Sequence, residues 1–201
     1  MRKGTALVAL LVVIAACSTP SSVNPLSVPL HYKPMLNPAE YATLPACAAL
    51  SKVDVSDARS EQAIGKRFVE GKTSPSAPVT ASTDVAAWVR TGVENALNHS
   101  NVSTSKADAP ELFIRVEQIV TSENVLHRSG YEGRITLSAE LRPHHGSTPC
   151  WKERAEGSAE NYGYAGSIEN YQETLNHALD RAVARLLNSP ELRKICSCGG
   201  A

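Results

Sequence analysis

Apolar residues recur along this chain in two periods, two and roughly four, and the change from one to the other marks the elements. "SKVDVSD" alternates about Val53 and Val55 and predicts a short strand. "STDVAAWVRTGVENALNHS" sets Val85, Trp88, Val89, Val93, Ala96 and Leu97 at helical spacing, with Ser82 and Thr83 as cap candidates. "ELFIRVEQIV" alternates again, with Leu112, Ile114 and Val116 on one face. In "GRITLSAEL", Ile135, Leu137, Ala139 and Leu141 point one way and Arg134, Thr136, Ser138 and Glu140 the other, as in a strand with one wet face. Gly130 and Gly133 support a hairpin between these two strands. "CWKERAEGSAE" reads as a charged edge strand whose inward positions are Trp151, Ala155 and Gly157. "NYQETLNHALDRAVARLL" puts Tyr171, Leu175, Ala178, Leu179, Ala182 and Leu186 on one stripe, opened by the box-like pair Asn170 and Glu173 and closed by Ser189-Pro190; "ELRK" can add a further turn.

The resulting order is β-α-β-β-β-α. It predicts an α+β domain built as a two-layer sandwich, a mostly antiparallel sheet with two helices on one face. Residues 58–81 have no clear period; "GKRFVEG" reads as a small hairpin and "TSPSAPVT" as loop.

The N-terminus follows different rules. Arg2 and Lys3 precede an apolar run from Ala6 to Ala16, which as a helix reaches only about 16 Å against a hydrocarbon core of about 30 Å. The run reads as a signal-peptide core. It ends in "VIAACS", which resembles the lipobox of bacterial lipoproteins. The resemblance implies cleavage after residue 16 and acylation of Cys17, palmitate included, which attaches the chain to a membrane without crossing it. Ser18, where an Asp favours inner-membrane retention in that class, implies the outer membrane, with the domain in the periplasm. Residues 17–45 carry Pro20, Pro25, Pro29, Pro34, Pro38 and Pro45 without apolar periodicity and read as a lipidated, extended tether. Tyr32, Met35, Leu36 and Tyr41 also permit part of it to pack on the domain. Residues 46–201 are then one domain with room for a core.

Loss of a leader holding Arg2 and Lys3 takes two of the 20 basic residues against 20 acidic ones. A slightly acidic chain offers no phosphate-binding field, so nucleic acid is not expected as a partner.

Beyond Cys17 there are four cysteines, Cys47, Cys150, Cys196 and Cys198, in a compartment that oxidises thiols. If the last helix runs back across the strand that begins at Cys150, its end returns to that strand's start. A first strand parallel to it brings Cys47 to the same end. Cys47 and Cys150 are therefore each expected to pair with one of Cys196 and Cys198, which one being open. The spacing lacks the paired C-x-x-C of a four-thiolate zinc site, and no metal or cofactor is expected.

With the elements placed, "VDVSDARSEQAIGKR", "DVAAWVRTGVENAL", "ELFIRVEQIV" and "ENYQETLNHALDRAVARLL" resemble the YajG-type envelope lipoproteins, and more loosely the auxiliary lipoproteins of envelope ABC transporters. The resemblance implies a compact strand-helix-strand-strand-strand-helix domain without enzymatic activity.

The residues themselves offer little for catalysis. There is no Gly-x-Ser-x-Gly, no His-Glu-x-x-His and no glycine-rich phosphate loop after a strand. His144 and His145 read as a turn, His177 as helix surface, and Glu153, Glu156 and Glu160 as charges of the edge strand. The exception to a purely structural reading is "ENYGYAGS". Its glycines make a turn, but Tyr162 and Tyr164 are large side chains that a turn does not need, and tyrosine combines apolar area with a hydroxyl at little entropic cost. They are the candidate partner-binding residues. The expected function is that of a lipid-anchored, non-enzymatic accessory or binding lipoprotein of the bacterial envelope, docking on a protein partner or lipid-transport assembly. The alternative is a structural lipoprotein that binds the glycan of the cell wall; a hydrolase comes last.

Overall fold

A computed structural model describes residues 23–69, 76–125, 129–144 and 146–198. The signal peptide, Cys17 and His145 lie outside the described residues. The elements in chain order are β1 (Leu26–Val28), a 3-10 turn (Pro38–Glu40), β2 (Lys52–Asp57), β3 (Ala63–Phe68), β4 (Ala77–Ala81), α1 (Val85–His99), β5 (Glu111–Asn124), β6 (Ser129–Arg142), β7 (Trp151–Gly163), α2 (Ile168–Leu187) and a terminal 3-10 turn (Leu192–Ser197).

The sheet corrects the expected two-layer, mostly antiparallel sandwich: the described residues form a mixed, open sheet of seven strands with two helices. Its path runs β1-β4-β3-β5-β6-β7, with β2 also on β5. The antiparallel expectation holds for β5, β6 and β7, which pair along nearly their whole length. Three pairings are parallel: β1 with β4, β2 with β5, and β3 with β5. One side of the long β5 thus serves two partners, β2 along Glu111–Val116 and β3 along Thr121–Asn124. Residues 58–81, unassigned or read as loop from the sequence, supply β3 and β4, an antiparallel pair. A strand containing Pro78 and one containing Gly65 carry no clean alternation, and what fixes them is pairing with β1 and β5, distant in sequence.

Both helices bury the faces that their spacing marks. Val85, Trp88, Val89, Val93, Ala96 and Leu97 of α1 are buried, as are Tyr171, Leu175, Ala178, Leu179, Ala182 and Leu186 of α2. The caps differ from the sequence reading. Asp84 caps α1 through Ala87 N, while the Thr83 hydroxyl bonds the backbone of Leu30. Ser167, not Asn170, caps α2. Helix α2 lies on β6 and β7 at a separation that only a glycine allows: a Cβ on Gly157 would fall 2.0 Å from the Ala178 carbonyl oxygen and 2.4 Å from Ala182 N. From the same helix, Arg181 Nη1 donates to the Ser158 carbonyl at 2.5 Å and Arg185 Nη1 to that of Glu156, both on the outer edge of β7.

From Val23 onward the proline-rich stretch, read as a tether, is bound to the domain, through the residues that permit packing. Leu30, Tyr41 and Leu44 are buried, and β1 joins the sheet. Proline lacks an N–H, and the carbonyls and remaining amides of this strap find partners on α2 at four-residue steps. Gln172 Nε2 donates to Pro29 O (2.6 Å) and Asn176 Nδ2 to His31 O (3.0 Å). Asp180, 1% exposed, accepts from Tyr32 Oη (2.8 Å), Met35 N (2.6 Å) and Leu36 N (3.1 Å). Burial, with Asp180 beside it, pushes the Tyr32 hydroxyl pKa well up.

At the end where β7 begins, Cys47 is bonded to Cys196 and Cys150 to Cys198. Because β2 and β7 both run parallel to β5 and α2 runs back across them, all four cysteines meet at this end.

Candidate functional site

The opposite end, where β7 passes into α2, is built around a buried carboxylate. Beyond residue 116 the strand β5 has a bulge against β6, so its inward positions change from Leu112, Ile114 and Val116 to Ile119, Thr121 and Glu123. Glu123 is fully buried. Oε2 accepts from Arg67 Nε of β3 at 2.5 Å and from Tyr171 Oη of α2 at 2.9 Å; Oε1 accepts from the Gly166 N–H at 2.6 Å, with Tyr131 Oη 3.3 Å away. A buried carboxylate is tolerated when hydrogen bonds replace its lost hydration, and here Arg67 adds an opposite charge to them. Tyr131 donates to the Tyr164 carbonyl and accepts from Ser167 N, and its ring meets that of Tyr171 edge-on at 5.0 Å. Burial raises both hydroxyl pKa values, and for Tyr171 the Glu123 charge adds to this.

These bonds hold one turn. Gly166 has φ +70°, a left-handed conformation that a Cβ disfavours, and its neighbours Tyr164 and Ser167 are pinned from below. The side chains above are free: Tyr162 is 70% and Tyr164 85% exposed, and Ile168 beside them 40%. The two tyrosines thus stand outward on a rigid base, while Tyr171 is wholly buried under the sheet. Glu123, Arg67 and the Asp180 ladder were not among the candidates from sequence. The ladder has a local signal, the polar Gln172, Asn176 and Asp180 at four-residue spacing beside the apolar stripe of α2; Glu123 has none without knowledge of the bulge.

A second feature is a trough of about 530 Å³ over the outward side of β5, β6 and β7, with Val120, Glu132, Arg134 and Glu160 in its lining and His177 and Arg181 of α2 at its edge. Burial, then the Arg181 charge, lowers the His177 pKa. The other candidates for chemistry are dispersed. His144 faces Glu111 at 3.5 Å, Glu153 accepts from Ser189 Oγ, and Glu156 pairs with Arg134. Among the described residues no group of three or more His, Cys, Asp and Glu is arranged to hold a metal ion, and no helix is long and apolar enough to cross a membrane.

A family model described as "Uncharacterized lipoprotein" matches residues 46–196. No curated protein matches the sequence. Among solved structures, a Xanthomonas campestris protein superposes with TM-score 0.50 at 10% identity, over 84% of this chain and 95% of that one, so the two share a fold. A Caulobacter crescentus protein titled a putative lipoprotein gives 0.41 at 15% identity, over 69% and 92%. A minor lipoprotein of Acinetobacter baumannii gives 0.37 at 12%, over 75% and 93%.

Proposed function

The chain belongs to this uncharacterized lipoprotein family, and on that premise we propose that it is a lipid-anchored, non-enzymatic accessory protein of the bacterial envelope. In this reading Cys17 carries the acyl chains, the membrane is the outer one, and the domain stands in the periplasm, where it docks on an envelope protein or lipid-transport assembly. The YajG-type and ABC-auxiliary resemblance supports the same reading.

The observation that carries it is the division of labour between the faces of the sheet. The two helices cover one face, and the strap lies along α2. Among the described residues no element covers the trough on the other, which is of mixed charge, with the exposed Val120 at 42% in its lining. Meanwhile the buried carboxylates Glu123 and Asp180 spend their bonding capacity on holding the chain together.

The test is cross-linking of the full-length protein in intact envelopes, followed by detergent extraction. A discrete envelope protein should be recovered, and the pair Val120→Glu and Arg134→Glu should reduce its recovery severalfold while melting stays as in wild type. Fractionation with isolated sacculi and no protein partner would instead establish the cell-wall role.

A further inference from the structure

We infer that the turn bearing Tyr162 and Tyr164 rests on the lipid surface, with both rings in the headgroup region. This rests on the reading of Cys17 as the lipid attachment site. The first argument is where the chain enters. Parallel pairing of β1 with β4 (Leu26 with Val79, Val28 with Ala81) and antiparallel pairing of β4 with β3 set Val23 at the end of the sheet where β3 and β5 finish. That is also the end where β7 finishes, since β6 joins them antiparallel (Asn124 with Gly130, Gly130 with Tyr162). Contacts make the same connection: Arg67 Nη1 donates to Asn24 O (3.0 Å) and Arg67 Nε to Glu123 (2.5 Å), and Glu123 accepts from Gly166 N (2.6 Å). One arginine and one carboxylate link the entering chain to the tyrosine turn.

The second argument is length. Six residue steps separate Cys17 from Val23, and a fully extended chain covers at most about 20 Å in that distance. Strand β7 has 13 residues and spans about 40 Å from the disulfide end to the tyrosine end. An acylated Cys17 therefore keeps the tyrosine end close to the bilayer, and an upright domain holds the disulfide end beyond the reach of residues 17–22.

The third is surface chemistry. Exposed large apolar side chains among the described residues are Val120, Tyr162, Tyr164 and Ile168, and three of these four occupy this end. A phenol with apolar body and polar tip is the side chain that gathers at membrane interfaces. The Glu123 cluster fixes the turn in advance, so little further ordering is needed on contact.

The experiment uses full-length, lipidated protein in vesicles of phosphatidylethanolamine and phosphatidylglycerol, with Tyr162→Trp, Tyr164→Trp or, at the disulfide end, Lys152→Trp. The native Trp88 and Trp151 are buried and give a constant background. Vesicles containing acyl-brominated lipid should quench the new tryptophan at 162 and 164 severalfold more than that at 152, with emission shifted to shorter wavelength. Co-flotation with vesicles but equal, weak quenching at all three positions overturns this inference and leaves the anchor standing; protection of 162 and 164 only on adding envelope protein would assign the rings to a protein partner instead. Failure to co-float overturns the anchor, and this inference with it.

Discussion

Replacing Asp180 by alanine tests the attachment of the strap directly, because one side chain accepts three hydrogen bonds from residues 32–36. Bonds to a charged acceptor contribute about 1.5–3 kcal/mol each, so simple addition gives roughly 4–9 kcal/mol. Two effects reduce that. The buried carboxylate no longer has to be desolvated, and the stranded donors reach water if the strap lifts, so the loss cannot exceed the cost of lifting it. We expect about 3–5 kcal/mol, a large part of the 5–15 kcal/mol that holds such a domain. At about 2–4 °C per kcal/mol the melting temperature falls by roughly 10 °C. Asp180→Asn should cost much less: its oxygen still accepts from Met35 and Leu36, and its Nδ2 donates to Tyr32 Oη, which can accept. Hydrogen exchange locates the effect. Met35, Leu36, Ala42 and Leu44 amides should lose protection in Asp180→Ala while the paired amides of β5 and β6 keep theirs. Equal damage from Asn and Ala, or unchanged exchange in residues 32–44, would refute the reasoning.

Alkaline pH should act on the same strap and on the Glu123 cluster. Tyr32, Tyr41 and Tyr171 have folded-state pKa values raised by burial, so their contribution is complete below the unfolded value of about 10 and is lost as pH rises above it; circular dichroism melts from pH 8 to 11 should fall, with Tyr32→Phe falling less. In acid the lowered pKa values of Asp57, Glu117 and Glu140, each held by an arginine, place their contribution above about pH 4 and its loss below, so destabilisation there should be relieved by salt less than by restoring pH. Gly157→Ala should cost about 3 kcal/mol or more, since the new methyl meets helix backbone that cannot rotate away, and urea titration measures it. Non-reducing peptide mapping should recover Cys47 with Cys196 and Cys150 with Cys198. Loops of 149 and 48 residues correspond to roughly 5 and 4 kcal/mol of chain entropy, so reduction, or truncation after Lys194, should lower the melting temperature by many degrees.

What could be read from the sequence was whatever depends on near neighbours. Alternation in β6 and the stripes of α1 and α2 state their own buried faces, because each is a local period set against one core. The misplacements have specific causes. Ser82 and Thr83 are reasonable caps until Leu30, more than fifty residues away, takes the Thr83 hydroxyl. β3 and β4 form because β1 and β5 present edges to them, information that "GKRFVEG" and "TSPSAPVT" do not contain. Counting by twos along β5 places Glu123 outward; a single bulged residue reverses the phase and makes it the centre of the polar cluster. The exposure of Tyr162 and Tyr164 was legible for the opposite reason, since the local structure does not require side chains so large.

The two arginines on the rim of β7 bear on how densely such molecules can be crowded. In the lipid-anchored reading proposed above, attachment to a bilayer would confine the molecules to a sheet of solution, where neighbours meet edge to edge at concentrations far above those in bulk. A 13-residue outer strand is under those conditions a template for joining one molecule to the next. Arg181 and Arg185 occupy carbonyls that an incoming strand would need, and place positive charge where its backbone would lie. Every copy carries the same pair, so approaching rims repel, and two acceptors near the middle of each are already taken. Surface coverage can then rise without the population condensing into ribbons, and removing both guanidinium groups should convert a laterally mobile film into immobile clusters as coverage increases, a transition visible by fluorescence recovery on supported bilayers.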